Sequence, residues 1–159
     1  MEEEKKKKKY TPEQAWLKVC KWCAFQERNQ QETRNKLYDY GLYSNQVEEI
    51  ISRLITEGFL NEERFAIAYA GGKFRIVGWG KEKIKLALKQ KKISDYCIKK
   101  ALNQIDDRSY QKKLEAVIAK RSKEEKEKTL FKRNYKIAQY AISRGFEQEL
   151  VWQILKVEE

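Results

Sequence analysis

Apolar residues recur along this chain at three- and four-residue spacing, in blocks closed by glycine, and the pattern predicts helices throughout. Thr11, Pro12, Glu13 and Gln14 read as a helix start, and Trp16, Val19, Cys20 and Cys23 then share one face. A second helix covers about Gln30 to Tyr40, with Thr33, Leu37 and Tyr40 inward, and ends at Gly41. Ser44 is expected to cap a third, on which Val47, Ile50, Ile51 and Leu54 recur before Gly58. Asn61 is then placed as an N-cap, with Glu62 and Glu63 in the first turn and Phe65, Ala66 and Tyr69 on one stripe. A basic loop broken by glycines is expected over 71–80, and a helix opens at Lys81 with Ile84, Ala87 and Leu88 inward. Farther on, Leu114, Val117 and Ile118 mark another helix, and a charged stretch from Lys120 to Lys128 leads to Leu130, Phe131, Ile137 and Ala141. One proline and seven glycines are too few for the turns of an all-β protein.

Aligning the helix ends exposes a repeat. With Gly41-Leu42, Lys92-Ile93 and Gly145-Phe146 in register, the five-residue-earlier positions are Leu37, Leu88 and Ala141, and the nine-earlier positions Thr33, Ile84 and Ile137. Five residues later stand Val47, Ile98 and Val151, and nine later Ile51, Leu102 and Leu155. The predicted fold is all-α: three tandem three-helix repeats over 11–57, 60–105 and 107–158, forming an elongated, curved helical array. Residues 1–9 are expected to be a disordered charged tail without the apolar core of a signal peptide.

Composition narrows the function. Formal net charge is +11, and residues 73–100 hold ten Lys/Arg against two acids, Glu82 and Asp95. Lys81, Lys85, Lys89 and Lys92 fall in one stripe beside the Ile84/Leu88 face, without the interleaved acids of an ordinary solvated helix. An anionic partner, nucleic acid or something that already holds it, fits such a surplus. The chain has no histidine, which removes the commonest general base and metal ligand together. Three cysteines fit free thiols in a reducing compartment, and no apolar run approaches the roughly 20 residues of a membrane span. A soluble, cytoplasmic, monomeric, non-enzymatic protein without cofactors is expected.

Two motifs lose their first appeal. Cys20-Lys21-Trp22-Cys23 puts two thiols on one helical face, but zinc needs four N/S ligands and only Cys97 is left, so core packing is the better reading. Gly78-Trp79-Gly80-Lys81 lacks the earlier glycine and the following Ser/Thr of a nucleotide-binding loop. Its glycines are expected to turn the chain sharply into a helix and to expose that helix's first N–H groups. Trp79 has two open readings: stacking on a base or partner, or packing toward Tyr69 and Phe74. Arg64 likewise either pairs with nearby acids or faces a partner.

Gly58, Phe59, Leu60, Asn61, Glu62, Arg64, Phe65 and Ala66, followed by Gly80, Lys83, Ile84, Leu88, Lys91, Lys92 and Ile93, resemble the hallmark region of the RecX family of recombinase regulators. The resemblance spans about residues 29–157 and is strongest in the middle repeat. Asn61 replaces an acid, and Lys92 replaces a helix-ending glycine, so that turn is expected to close in another conformation. The stretch Phe74-Arg75-Ile76-Val77 is less basic than the family's usual loop. The resemblance implies tandem three-helix repeats and a non-enzymatic protein that binds the RecA filament in its groove on DNA. It also implies restraint of ATP hydrolysis, strand exchange and the SOS co-protease step, with weak, nonspecific binding to single- and double-stranded DNA. Charge and placement nominate Lys73, Arg75, Trp79, Lys81, Lys85 and Lys89 as contacts, with Arg64, Arg121, Lys132 and Arg133 behind them. A stand-alone nucleic-acid-binding protein built of helix-turn-helix-like modules is the competing reading.

Overall fold

The structure, a computed structural model, describes residues 9–157, so the tail expected over 1–9 lies outside the described residues except for Lys9. Among the described residues there are nine α-helices and no strand. They are α1 (Pro12–Phe25), α2 (Gln30–Asp39), α3 (Ser44–Thr56), α4 (Glu62–Gly72), α5 (Lys81–Gln90), α6 (Asp95–Asn103), α7 (Asp107–Glu124), α8 (Leu130–Ser143) and α9 (Gln148–Val157). The chain divides into two compact units, 1–65 and 66–159, and the division falls inside α4.

In the first unit the helix starts are fixed by reciprocal side-chain caps. The Thr11 hydroxyl accepts from the Gln14 N–H at 3.2 Å while the Gln14 side chain accepts from the Thr11 N–H at 3.1 Å. Asn29 and Glu32 do the same for α2, at 2.7 Å each way. Ser44, expected as a cap, is instead the first residue of α3, and Gln46 reaches back to accept from the Tyr43 N–H at 2.9 Å. The bond from Gln46 satisfies the N–H of the N-cap residue, while no N-cap side chain accepts from the first turn of α3. The core gathers Val19, Cys23, Leu37, Leu42, Val47, Ile51, Leu54 and Leu60, all buried. Phe59 meets Trp16 edge-on at 6.0 Å, and the Arg53 guanidinium lies over Trp16 at 3.8 Å. Burial pushes the Cys23 thiol up to about 11, so the C-x-x-C holds a buried and a half-buried free thiol rather than a reactive pair.

The second unit begins with the remainder of α4. The loop expected over 71–80 is mostly helix: α4 runs to Gly72 and continues as a π-helical segment, Lys73–Val77, before Gly78 turns the chain at φ +80°. The wider turn keeps Phe74 buried against the Tyr110 ring, 5.7 Å away, which a solvated loop would forfeit. Behind it the core collects Ile84, Leu88, Ile98, Leu114, Ile118, Ile137, Phe146, Val151 and Leu155.

The repeat register is visible in burial and in hydrogen bonds. Thr33, Ile84 and Ile137 are buried, as are Leu37, Leu88 and Ala141, and as are Leu42, Ile93 and Phe146. The N–H groups of Leu42, Ile93 and Phe146 donate to Leu37, Leu88 and Ala141 at 3.4, 3.1 and 3.2 Å, and those of Gly41, Lys92 and Gly145 donate to Tyr38, Lys89 and Ile142 at 2.9 Å. This pair of bonds is a Schellman closure, and it requires the left-handed conformation at its middle residue. Gly41 and Gly145 have φ +85° and +102°, and Lys92 has φ +61°. The different turn expected at Lys92 is therefore not found. Burying Ile93 and satisfying two carbonyls outweighs the roughly 1–2 kcal/mol that a left-handed lysine costs.

Candidate functional site

The centre of the second unit is the start of α5, where two stretches of backbone meet. A Cβ placed on Gly80 would lie 2.3 Å from the carbonyl carbon of Gly145 and 2.4 Å from its oxygen. Only glycine permits that approach. The Gly80 N–H donates to the Arg144 carbonyl at 2.8 Å, the Glu82 N–H to the Gly145 carbonyl at 2.9 Å, and the Lys81 N–H to the Tyr110 hydroxyl at 3.0 Å. The N–H groups of Gly80, Lys81 and Glu82, expected to stand exposed, are thus taken by the turn between α8 and α9 and by Tyr110 of α7. Tyr110 is itself a hub: its hydroxyl donates a short bond to the Glu147 carboxylate, and its ring lies 5.4 Å from that of Phe146. Burial, followed by the bond to Glu147, holds the Tyr110 hydroxyl protonated far above the usual phenol range.

With α5 anchored at its start, the lysine stripe is carried on a fixed face. Lys85 and Lys89 are exposed and, among the described residues, have no ion-pair partner. They border a groove of about 530 Å³ between α5 and α6 whose lining includes Lys99, Ile98 and Leu102 and three acids, Glu82, Asp95 and Glu147. Lys81 borders it too but is committed inward, with its ammonium 4.8 Å from the Tyr110 ring centroid and 3.9 Å from Asp107. Trp79 is half-buried and held between two ammonium groups, Lys73 at 4.9 Å and Lys83 at 4.7 Å from its ring centroid. Lys73 also lies 5.4 Å from the Tyr69 ring, so packing toward Tyr69 comes through a shared lysine.

The other nominated residues fall elsewhere. Arg75 is exposed on the π-helical segment with its guanidinium over Gly71. Arg64 belongs to the first unit, where it pairs with Glu27 at 2.5 Å and donates to the Gly58 carbonyl at 2.9 Å. Arg133 donates to the Ser122 and Glu125 carbonyls and so ties α8 to the C-terminal end of α7. Arg121 pairs with Glu125 at 3.5 Å and lies 5.2 Å from the Tyr140 ring. Lys132 is exposed. Arg64, Arg121 and Arg133 therefore have internal work, Lys73, Trp79 and Lys81 are half-buried, and Arg75, Lys85, Lys89 and Lys132 are exposed. Sequence reasoning passed over Lys83 and Arg144 as functional candidates. Lys83 meets Trp79 across the extended N-cap Gly80, and Arg144 meets Val77 across 67 residues, so neither contact has a helical-spacing signal in the sequence.

Family comparison bears on this surface directly. Residues 61–102 match the family model for the second three-helix domain of RecX, and residues 109–155 match that for the third. Together these matches cover more than half of the chain. The chain belongs to the RecX family. Among curated relatives, the regulatory protein RecX of Streptococcus uberis is 26% identical over 130 residues, which is 82% of this chain and 50% of that protein. RecX of Bacillus mycoides is 19% identical over 139 residues, 87% of this chain and 52% of that one. The chain thus spans about half the length of the curated relatives it matches. The crystal structure of RecX from Lactobacillus salivarius superposes with a TM-score of 0.81 at 22% identity, covering 91% of this chain and 94% of that one. A second crystal structure of regulatory protein RecX gives the same TM-score at 20% identity, covering 91% and 71%. This chain shares its all-α fold with the two solved RecX structures. The second-domain match runs from the N-cap of α4 to α6 and so contains Trp79 and the whole lysine stripe.

Proposed function

We propose that this chain is a non-enzymatic regulator of a RecA-type recombinase, acting in the cytoplasm as a monomer that binds the recombinase filament on DNA and restrains it. Filament-dependent ATP hydrolysis, strand exchange and SOS co-protease action fall together when the filament is held. The observation that carries the reading is a lysine stripe of α5 lying within the RecX second-domain match. The repeats over 11–57, 60–105 and 107–158 serve as successive binding units, and joining them in one chain raises the effective concentration of each. Lys73, Arg75, Trp79, Lys85 and Lys89 make the outward contacts. Lys81 supports them from its seat on Tyr110, and Lys132 adds charge on α8. Arg64, Arg121 and Arg133 hold the surfaces in shape. Binding to bare single- or double-stranded DNA is weak, nonspecific and strongly salt-dependent, because it neutralises phosphates and reads no base.

The test is a double charge reversal, Lys85→Glu with Lys89→Glu, because both residues are exposed and Lys81 is not. Affinity for recombinase filaments on single-stranded DNA should fall at least tenfold with the thermal unfolding midpoint unchanged. Equal affinity for the variant would sink the assignment of the stripe. Tight, sequence-dependent binding of the wild-type protein to naked duplex would favour the helix-turn-helix-like alternative.

A further inference from the structure

A second surface of the same unit has features that the lysine stripe does not use. The π-helical segment lifts Ile76 to 86% exposure, with Val77 beside it at 40%, in a segment held at three of its carbonyls. Arg144 donates to the Val77 carbonyl, Lys113 to the Arg75 carbonyl at 3.4 Å, and the Trp79 N–H to the Lys73 carbonyl at 3.0 Å. A β-branched side chain held rigidly in water gains nothing for folding, and π turns concentrate where a side chain must be aimed. Next to Ile76 lies a concavity of about 270 Å³ whose wall carries Lys113, Lys120, Arg121 and Arg144, with Glu124 as its single acid. Val117 and Tyr140 supply further apolar wall. Lys120 is exposed and has no ion-pair partner among the described residues.

We propose that this knob and basic hollow bind an acidic protein segment carrying aliphatic or aromatic side chains, whose apolar residues cover Ile76 and Val77 and whose carboxylates enter the hollow. Charge complementarity sets the sign of the occupant: Arg121 is already held by Glu124 and Glu125, and Lys113, Lys120 and Arg144 remain on the wall without an acid paired to them among the described residues. The apolar part decides its class. Nucleic acid would offer phosphates to the lysines but only stacked bases to the knob, and Ile76 and Val77 have no π-face to stack on. An amphipathic acidic peptide satisfies both halves at once. This surface needs no recombinase for its detection, so its failure and the failure of the filament reading are separable.

The experiment is fluorescence anisotropy with a labelled synthetic peptide of about 14 residues that places Leu and Phe at helical spacing among Glu and Asp. Two further probes are the same peptide with Ser at its Leu and Phe positions, and a single-stranded oligonucleotide. The full chain should bind the amphipathic peptide, and both Ile76→Ser and Lys120→Glu should weaken it roughly tenfold, the amount expected from uncovering one aliphatic side chain or reversing one contact charge. Each variant changes an exposed residue, and circular dichroism melts should match wild type. The Ser-substituted peptide should bind weakly and be insensitive to Ile76→Ser. Absence of peptide binding, or peptide binding indifferent to both variants, would overturn the proposal. So would an oligonucleotide whose affinity falls with the same two variants while the peptide's does not.

Discussion

Two glycine-to-alanine substitutions eight residues apart should move stability in opposite directions. At Gly72 the backbone is helical, with φ −64° and ψ −46°, and a Cβ would meet nothing within 4 Å. Alanine there removes unfolded-state entropy at no steric cost, so Gly72→Ala should stabilise by about 0.5–1 kcal/mol. At Gly80 the backbone is equally open to alanine, with φ −79° and ψ 168°, so any penalty arises from contact alone. The added carbon would sit 2.3 to 2.4 Å from three backbone atoms of Gly145 and Phe146, none of which can rotate away as a side-chain tip would. Relief requires parting α5 from the α8–α9 turn, which strains the Gly80, Lys81 and Glu82 N–H bonds together. Two of these donors left unpaired at about 1–3 kcal/mol each put the loss at about 2–6 kcal/mol. For a chain of this length that is a fall of roughly 5–20 °C in melting temperature. Guanidinium and thermal unfolding followed by circular dichroism would read both variants side by side. A loss below about 1 kcal/mol for Gly80→Ala would mean the two backbones are not locked, and the anchored start of α5 would have to be abandoned.

Other consequences are as direct. Lys92→Gly should stabilise by about 1 kcal/mol, since it relieves a left-handed lysine in a closure that Gly41 and Gly145 make without strain; a neutral or destabilising result in chemical denaturation would show that no strain is stored there. Tyr110→Phe should cost about 1–3 kcal/mol by leaving the Lys81 N–H and the Glu147 carboxylate without their partner. The same residue sets an alkaline limit. Its folded-state pKa is raised, so above about pH 10 the unfolded chain loses this proton first, and stability falls by up to about 1.4 kcal/mol per pH unit. The slope of stability against pH between 10 and 11 should be shallower in Tyr110→Phe; identical slopes would remove Tyr110 from the titration. Arg133→Ala should cost about 1–3 kcal/mol and speed hydrogen exchange at the end of α7, through the loss of its bonds to Ser122 and Glu125 carbonyls.

Much of this fold is written locally. The 3–4 spacing of Val47, Ile50, Ile51 and Leu54, and the register linking Leu37, Leu88 and Ala141, follow from helix geometry and need no tertiary knowledge. Asn61 caps α4 as read, its side chain accepting from the Arg64 N–H at 2.8 Å. What escaped reading depends on contacts distant in sequence. Residues 71–77 look like a glycine-rich loop, and only the ring of Tyr110 explains why Phe74 keeps the segment helical. Gly80 looks like a turn residue, whereas its purpose is the approach of Gly145. A basic side chain in sequence is equally compatible with a partner or an internal carbonyl, so Arg133 and Lys85 read alike until the packing separates them.

The decisive measurement is DNA-dependent ATP hydrolysis by a cognate recombinase preassembled on excess single-stranded DNA, with this protein titrated in. Excess DNA prevents a simple DNA binder from mimicking inhibition by sequestration. A filament regulator should suppress hydrolysis at concentrations well below that of DNA sites, and Lys85→Glu with Lys89→Glu should shift the titration to higher concentration. Undiminished hydrolysis, together with strong binding to naked duplex, would contradict filament regulation and assign the basic surface to DNA itself.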